Sequence, residues 1–196
     1  RDFVPIRDVL DQYLEESSSI GGPLERGMAP IPTGFVDLDR LLGGLQRGDL
    51  VILAARPSLG KSTLAMNIAR NAAGQGLIVA AFSLEMSRDQ LALRLLSSEA
   101  EVDNHLLRLG LHTESQGNRI ISSIGALSDL AIYIDDTSYQ GVLDMRSKVR
   151  RLHMERGIDL VIVDYLQLIR GASDRGENRV QEISEITRSL KGLARE

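Results

Sequence analysis

The 196-residue sequence contains no cysteine. Disulfides and thiolate metal sites are therefore excluded, and nothing points to secretion. Tryptophan is absent too, and aromatic residues make up only 4%, so a core has to be built mostly from aliphatic side chains. No apolar run approaches the ~20 residues of a membrane-spanning helix, and Arg1-Asp2-Phe3-Val4-Pro5 lacks the apolar centre of a signal peptide. A reducing, cytoplasmic setting with no membrane partner is expected. Positive charge is also in deficit, the formal net charge being −4. A nucleic-acid binder with this balance must concentrate its cations in a groove or channel. The three histidines, His105, His112 and His153, have no metal-ligand spacing and read as ordinary surface or packing residues.

What remains is an ordinary globular composition, 43% hydrophobic, of a length that suits one domain with an appendage. The appendage is at the front. Ile6, Val9, Leu10, Tyr13 and Leu14 recur at the spacing of an amphipathic helix, and Pro5 stands where a first-turn proline is tolerated. From Glu15 to Pro32 a serine triplet, a glycine pair and three prolines read as a linker. The expected division is a linker helix over 1–18, a flexible linker over 19–32 and the main domain over 33–196. The helix either packs back on its own domain or docks on another subunit.

Beyond Pro32 the pattern alternates. Short aliphatic runs at Leu50–Ala54, Leu77–Phe82, Ala131–Ile134 and Asp159–Asp164 predict four strands. Between them lie helical stretches: one within Thr33–Leu42 with Asp37 as its cap, then Lys61–Ala73, a helix capped by Ser87, Asp103–Gly110, Ser115–Leu127, Val142–Arg156 and Val180–Ala194. Strands apolar on both faces and separated by helices indicate a mostly parallel sheet covered on both sides, an α/β fold. The alternation breaks off after the last helix, so the domain is expected to be incomplete at its C-terminus.

One strand-to-helix junction carries recognisable chemistry. Ala55-Arg56-Pro57-Ser58-Leu59-Gly60-Lys61-Ser62-Thr63 matches the phosphate-loop pattern, with Ala55 in place of the first glycine. Backbone N–H groups of such a loop point at phosphates, and Gly60 lets the chain approach closely. Lys61 is expected to neutralise the β- and γ-phosphates, Ser62 to ligate Mg²⁺ and Thr63 to hydrogen-bond the α-phosphate. ATP and Mg²⁺ are thus the implied ligands.

Two acids complete the expected site. Asp164 ends an aliphatic strand and would hold the metal through a water. Glu85 follows another strand, inside Ser83-Leu84-Glu85-Met86-Ser87. Ligands of open parallel sheets bind at the carboxyl ends of the strands, so Lys61, Glu85 and Asp164 can reach one nucleotide. Glu85 is either the general base for the attacking water or a cap of the helix starting near Ser87. Asp135 and Asp136 also follow a strand end, and a loop or capping role suits them better than a metal. The run Arg146, Lys148, Arg150, Arg151 reads as a solvated helix face.

These segments, with Pro32-Thr33-Gly34-Phe35, Leu38-Asp39-Arg40-Leu41-Leu42-Gly43-Gly44-Leu45 and Asp164-Tyr165-Leu166-Gln167-Leu168, resemble the DnaB family of bacterial replicative helicases over nearly the whole chain. The resemblance implies a RecA-like phosphate-loop NTPase fold and a hexameric ring on single-stranded DNA, driven by ATP hydrolysis at subunit interfaces and associated with the nucleoid. It implies primase and helicase-loader partners for the full-length parent, and a linker helix docked on the neighbouring subunit. By the same likeness the loop from Gly171 to Arg179 faces a central channel, and Arg170, Arg175 and Arg179 offer charge to the DNA backbone. By the same likeness the family's N-terminal collar domain and its region after the last helix are expected to lie outside these 196 residues. The 196-residue chain alone is accordingly expected to bind nucleotide weakly and not to unwind DNA. Two other readings stay open, a RecA- or RadA-like recombination ATPase and a non-catalytic nucleotide-binding regulator. The Ser83–Ser87 segment weighs against the first and an intact Glu85 against the second.

Overall fold

The structure is a computed structural model describing residues 4–8, 10–11, 29–169 and 179–196. The chain divides into two units, Arg1–Pro30 and Ile31–Glu196. In the first, residues 6–8 and 10–11 are helical and the side chains of Ile6 and Leu10 are exposed. The sequence-predicted linker lies mostly outside the described residues.

The second unit is organised by one strand. β1 (Val79–Ser83) is buried along its whole length, as expected for a strand with both flanks paired and both faces covered. It pairs in parallel with β2 (Ile132–Asp135) and β3 (Leu160–Asp164), in the order β2-β1-β3. Alternate side chains enter two different cores. Val79, Ala81, Ile132, Ile134, Leu160 and Ile162 meet α2 (Lys61–Gly74), α3 (Arg88–Ala100) and Leu127 of α5 (Glu114–Ser128). Phe82, Val161 and Val163 meet α6 (Val142–Arg156) and α7 (Arg179–Ala194) through Met145, Val149, Ile186 and Leu190. Helices therefore cover both faces of a parallel sheet, which is the α/β architecture expected from the sequence.

Local signals set the helix ends. Ser87 and Thr113 each close a capping box, with Gln90 and Gln116, at the starts of α3 and α5. Asp103 caps the short α4 (Asn104–Leu109). At α1 (Val36–Leu42) the expectation fails. Asp37 lies inside the helix and pairs loosely with Arg40, and the N-cap residue is Phe35. No side chain caps the helix; Asp39 instead holds the turn before it, accepting hydrogen bonds from Thr33 N–H (2.8 Å), Thr33 Oγ1 (2.7 Å) and Gly34 N–H (3.1 Å). These bonds, the Thr33 amide first, hold the Asp39 carboxyl below its ordinary range. Gly34 is required there: its φ is +79°, and a Cβ would lie 2.3 Å from the Asn71 side chain.

Leu50–Ala54, read from sequence as a strand, is not one. It forms no ladder, and Val51, Ile52 and Leu53 are exposed; Leu50 alone packs against the second core. An aliphatic run becomes a strand only when a neighbour supplies ladder partners. Among the described residues β3 is an edge, paired only with β1. Among the described residues the sheet accordingly has three strands rather than the expected four.

Candidate nucleotide-binding site

Because all three strands run parallel, their carboxyl ends share one edge. Register makes this concrete. Ser83 lies opposite Asp164 and Phe82 opposite Asp135, and Leu84 N–H donates to the Asp164 carbonyl at 2.8 Å. The residues following β1, β2 and β3, namely Leu84, Asp136 and Tyr165, therefore leave the sheet at the same edge, with Glu85 one residue beyond Leu84.

The loop 55–60 reaches the same edge and is exposed. Ser58 has φ +64° and Gly60 φ +86°, the left-handed region that costs a non-glycine residue roughly 1–3 kcal/mol and marks functional turns. Gly60 is the N-cap of α2 and provides no side-chain cap, and the first turn of α2 holds no acid. The leading N–H groups of a helix have no partner within it. Space is open beside Gly60, where a Cβ would touch nothing within 4 Å. A positive, uncapped helix start beneath an open loop fits an anion. Lys61 leaves this helix start and places Nζ 2.7 Å from Asp164 Oδ1, with the Tyr165 ring 4.3 Å away. Both charged side chains are partly buried, 26% and 15% exposed. The structure thus brings together two of the residues singled out in the sequence, Lys61 and Asp164; Ser62 follows Lys61 in the first turn of α2. Ser62 is half-buried and Thr63 exposed. A cation and a hydroxyl at a helix N-terminus, with a carboxylate at a strand end beside the cation, are the groups a Mg²⁺-triphosphate needs.

Glu85 is exposed, in a bend between β1 and α3. The bend is held by Ser83 Oγ, which donates to the Met86 carbonyl (2.7 Å) and accepts from Met86 N–H (3.3 Å). At its far end Arg88 donates to Asp136 from its backbone N–H (3.0 Å), Nε (2.9 Å) and Nη2 (2.6 Å). The guanidinium first, then the amide, pull the Asp136 carboxyl down to about 2, and Asp136 in turn raises Arg88. Asp135 bonds Lys148 (2.5 Å) and Thr137 N–H (2.8 Å). Burial pushes its carboxyl up, and these bonds outweigh that and leave it lowered. Among the described residues no cluster of three or more metal-ligating side chains occurs, and Asp135 and Asp136 both serve loop structure, as the sequence suggested.

The sequence reading missed two features. The Tyr165 ring beside Lys61 was visible only as part of a motif, and the Arg88–Asp136 contact joins residues 48 apart. The basic run on α6 is solvated at Arg150 and Arg151 and only partly so at Arg146 and Lys148. Arg146 and Arg150 both pair with Glu196 and Lys148 with Asp135, because α6 lies beside α7 and the β2 end. Arg170 and Arg175 lie outside the described residues. Arg179 is described, and its guanidinium donates to the Gln167 carbonyl and to Glu182, each at 2.5 Å.

A loop of phosphate-loop pattern at the carboxyl edge of a parallel sheet, with its lysine on an acid at the end of β3, is consistent with a RecA-like domain. The chain belongs to the family described as DnaB-like helicase C terminal domain, whose profile matches residues 30–196. It is 51% identical over 190 residues to the replicative DNA helicase DnaB of Synechocystis sp., covering 95% of this chain and 20% of that protein. A solved ATPase domain superposes with a TM-score of 0.88 at 32% identity, covering 99% of this chain and 68% of that one. A DnaB-like replicative helicase, solved in a study of its interactions with primase, superposes with a TM-score of 0.83 at 31% identity, covering 99% of this chain and 46% of that one. The chain spans less than half the length of the curated relatives it matches. No helix among the described residues is long and apolar enough to cross a membrane.

Proposed function

We propose that this chain is the ATP-hydrolysing motor domain of a replicative DNA helicase, working at the subunit interfaces of a homo-hexameric ring on single-stranded DNA. The observation that carries the reading is the Lys61–Asp164 contact at 2.7 Å beside the Leu84-to-Asp164 backbone bond. Together they gather the phosphate loop, the strand-end acid and the Glu85 bend at one edge. Family membership favours the helicase over a recombination ATPase.

In this reading the backbone of Ala55, Arg56, Pro57, Ser58, Leu59 and Gly60, with Lys61, Ser62 and Thr63, cradles the triphosphate. Lys61 turns from Asp164 to the β- and γ-phosphates, Ser62 Oγ and Asp164 are the groups that would hold Mg²⁺, and Glu85 takes a proton from the attacking water. Bound Mg²⁺ supplies charge neutralisation on the phosphates. Domain roles follow the same reading: linker helix 1–18, whose Ile6 and Leu10 are exposed, docks on the next subunit, 19–32 is the tether and 33–196 the motor. Arg170 and Arg175 are the DNA contacts, and Arg179 joins them only by releasing Gln167 and Glu182. Primase and a loader are the protein partners, in the cytoplasm at the nucleoid.

The test is Glu85→Gln in the natural full-length gene product. ATP binding is expected to persist while hydrolysis falls ~10²–10⁴-fold, the usual contribution of a general base. Hydrolysis at the parental rate overturns the assignment.

A further inference from the structure

The Glu85 carboxylate has no hydrogen bond or ion pair among the described residues, so its position is dictated by the backbone around it. That backbone is tethered on both sides. Upstream, Leu84 N–H is bonded to the β3 end at Asp164. Downstream, the first residue of α3, Arg88, is bonded by backbone and guanidinium to Asp136, just past the end of β2. Glu85 therefore hangs between anchors on the two strands that flank its own.

The Asp136 anchor is not needed to start the helix. Ser87 already caps α3, accepting from Gln90 N–H (3.3 Å) while Gln90 Oε1 accepts from Ser87 N–H (3.1 Å). What Asp136 adds is location: three hydrogen bonds fix the helix start against a loop 48 residues away. The carboxylate is 18% exposed and the arginine 66%. The acid is thus seated in the fold and the arginine comes to it.

We propose that Asp136 is a positioning residue for the Glu85 bend, clamping the N-terminus of α3 so that Glu85 is held over the phosphate loop. This rests on Glu85 being the general base. Proton abstraction requires the base within hydrogen-bond reach of the water, and a 1 Å misplacement can cost ~10²-fold in rate.

The test compares Asp136→Ala, Asp136→Asn and Glu85→Gln in the natural full-length gene product. Steady-state ATP hydrolysis, affinity for a fluorescent non-hydrolysable ATP analogue, and melting temperature are read for each. Asp136→Ala is expected to lower kcat about 10-fold or more with nucleotide affinity within about twofold. Asparagine keeps one acceptor oxygen and recovers most of the rate. On the Glu85→Gln background, Asp136→Ala is expected to change the residual rate by less than about twofold. If Asp136→Ala melts too early to assay, Arg88→Ala, which removes the guanidinium side of the same contact, carries the comparison, with kcat lowered at unchanged affinity expected and parental kcat overturning the clamp. Parental kcat in Asp136→Ala, or a parallel loss of kcat and nucleotide affinity, overturns the positioning role. Parental hydrolysis in Glu85→Gln overturns the Glu85 reading itself, whereas an inactive Glu85→Gln beside a fully active Asp136→Ala overturns only the clamp.

Discussion

Lys61 Nζ rests 2.7 Å from Asp164 Oδ1 with the Tyr165 ring 4.3 Å away, so the cation of the phosphate loop and the acid of β3 neutralise one another across the edge of the sheet. A triphosphate entering this site competes with Asp164 for the lysine. Charge-assisted hydrogen bonds contribute about 1.5–3 kcal/mol, which converts to roughly 10–150-fold in affinity. Lys61→Ala is accordingly expected to weaken ATP binding by that factor and to abolish hydrolysis, in a protein that still folds. A fluorescent-nucleotide titration checks it, and unchanged affinity would mean that Lys61 belongs to Asp164 alone.

The Arg88–Asp136 pair makes a pH prediction. Arg88 holds the Asp136 carboxyl at about 2, below the ~3.9 of an unfolded aspartate. A carboxyl depressed on folding stabilises the native state above its unfolded value, and the benefit is lost as pH falls through the folded value. The stability difference between the parent and Asp136→Asn should therefore be flat above about pH 4 and shrink between about pH 4 and about pH 2. Urea unfolding across that range tests this; a difference that changes instead near neutrality would point to another group.

What was legible in the sequence was what neighbours in sequence decide. The phosphate loop is a run of nine residues whose chemistry depends on their order, and β1 and β3 are unbroken apolar runs ending in Ser83 and Asp164. The Ser87 cap needs only Gln90, three residues on. What was illegible depends on distant partners. The strand order β2-β1-β3 and the Arg88–Asp136 contact follow from packing across dozens of residues. Leu50–Ala54 has the composition of a strand, yet pairing decides whether it is one. Asp37 has the composition of a cap, yet it is Asp39 whose carboxylate receives hydrogen bonds, from the turn before the helix. Only the turn at Gly34, which presents two N–H groups to Asp39, separates them.

At the opposite edge of the sheet Asp159 accepts from Ile78 N–H (2.8 Å) and from Arg47 Nη2 (2.7 Å), tying the starts of β1 and β3 together. The side chain is 18% exposed. Removing it leaves a donor without its acceptor, which costs about 1–3 kcal/mol. Five-residue strands separate this point from the phosphate loop by roughly 16 Å. Asp159→Ala should therefore lower the melting temperature while leaving nucleotide affinity within about twofold. A loss of affinity at unchanged stability would show that the two edges of the sheet are coupled.

Helix α6 offers an internal control on the second core. Met145 has no exposed surface and sits with Phe82, Val149, Ile186 and Leu190. Met154, nine residues along the same helix, is 88% exposed. Truncating a buried methionine loses its transfer free energy and leaves a cavity, together about 2–5 kcal/mol. An exposed one away from any contact changes stability by less than about 0.5 kcal/mol. Helix propensity cannot produce the contrast, because both changes put alanine for methionine in one helix. Urea titrations of Met145→Ala and Met154→Ala should differ by at least about 1.5 kcal/mol, the gap between those two ranges. Equal losses would mean that the face of α6 turned toward β1 and α7 has been assigned to the wrong side of the helix.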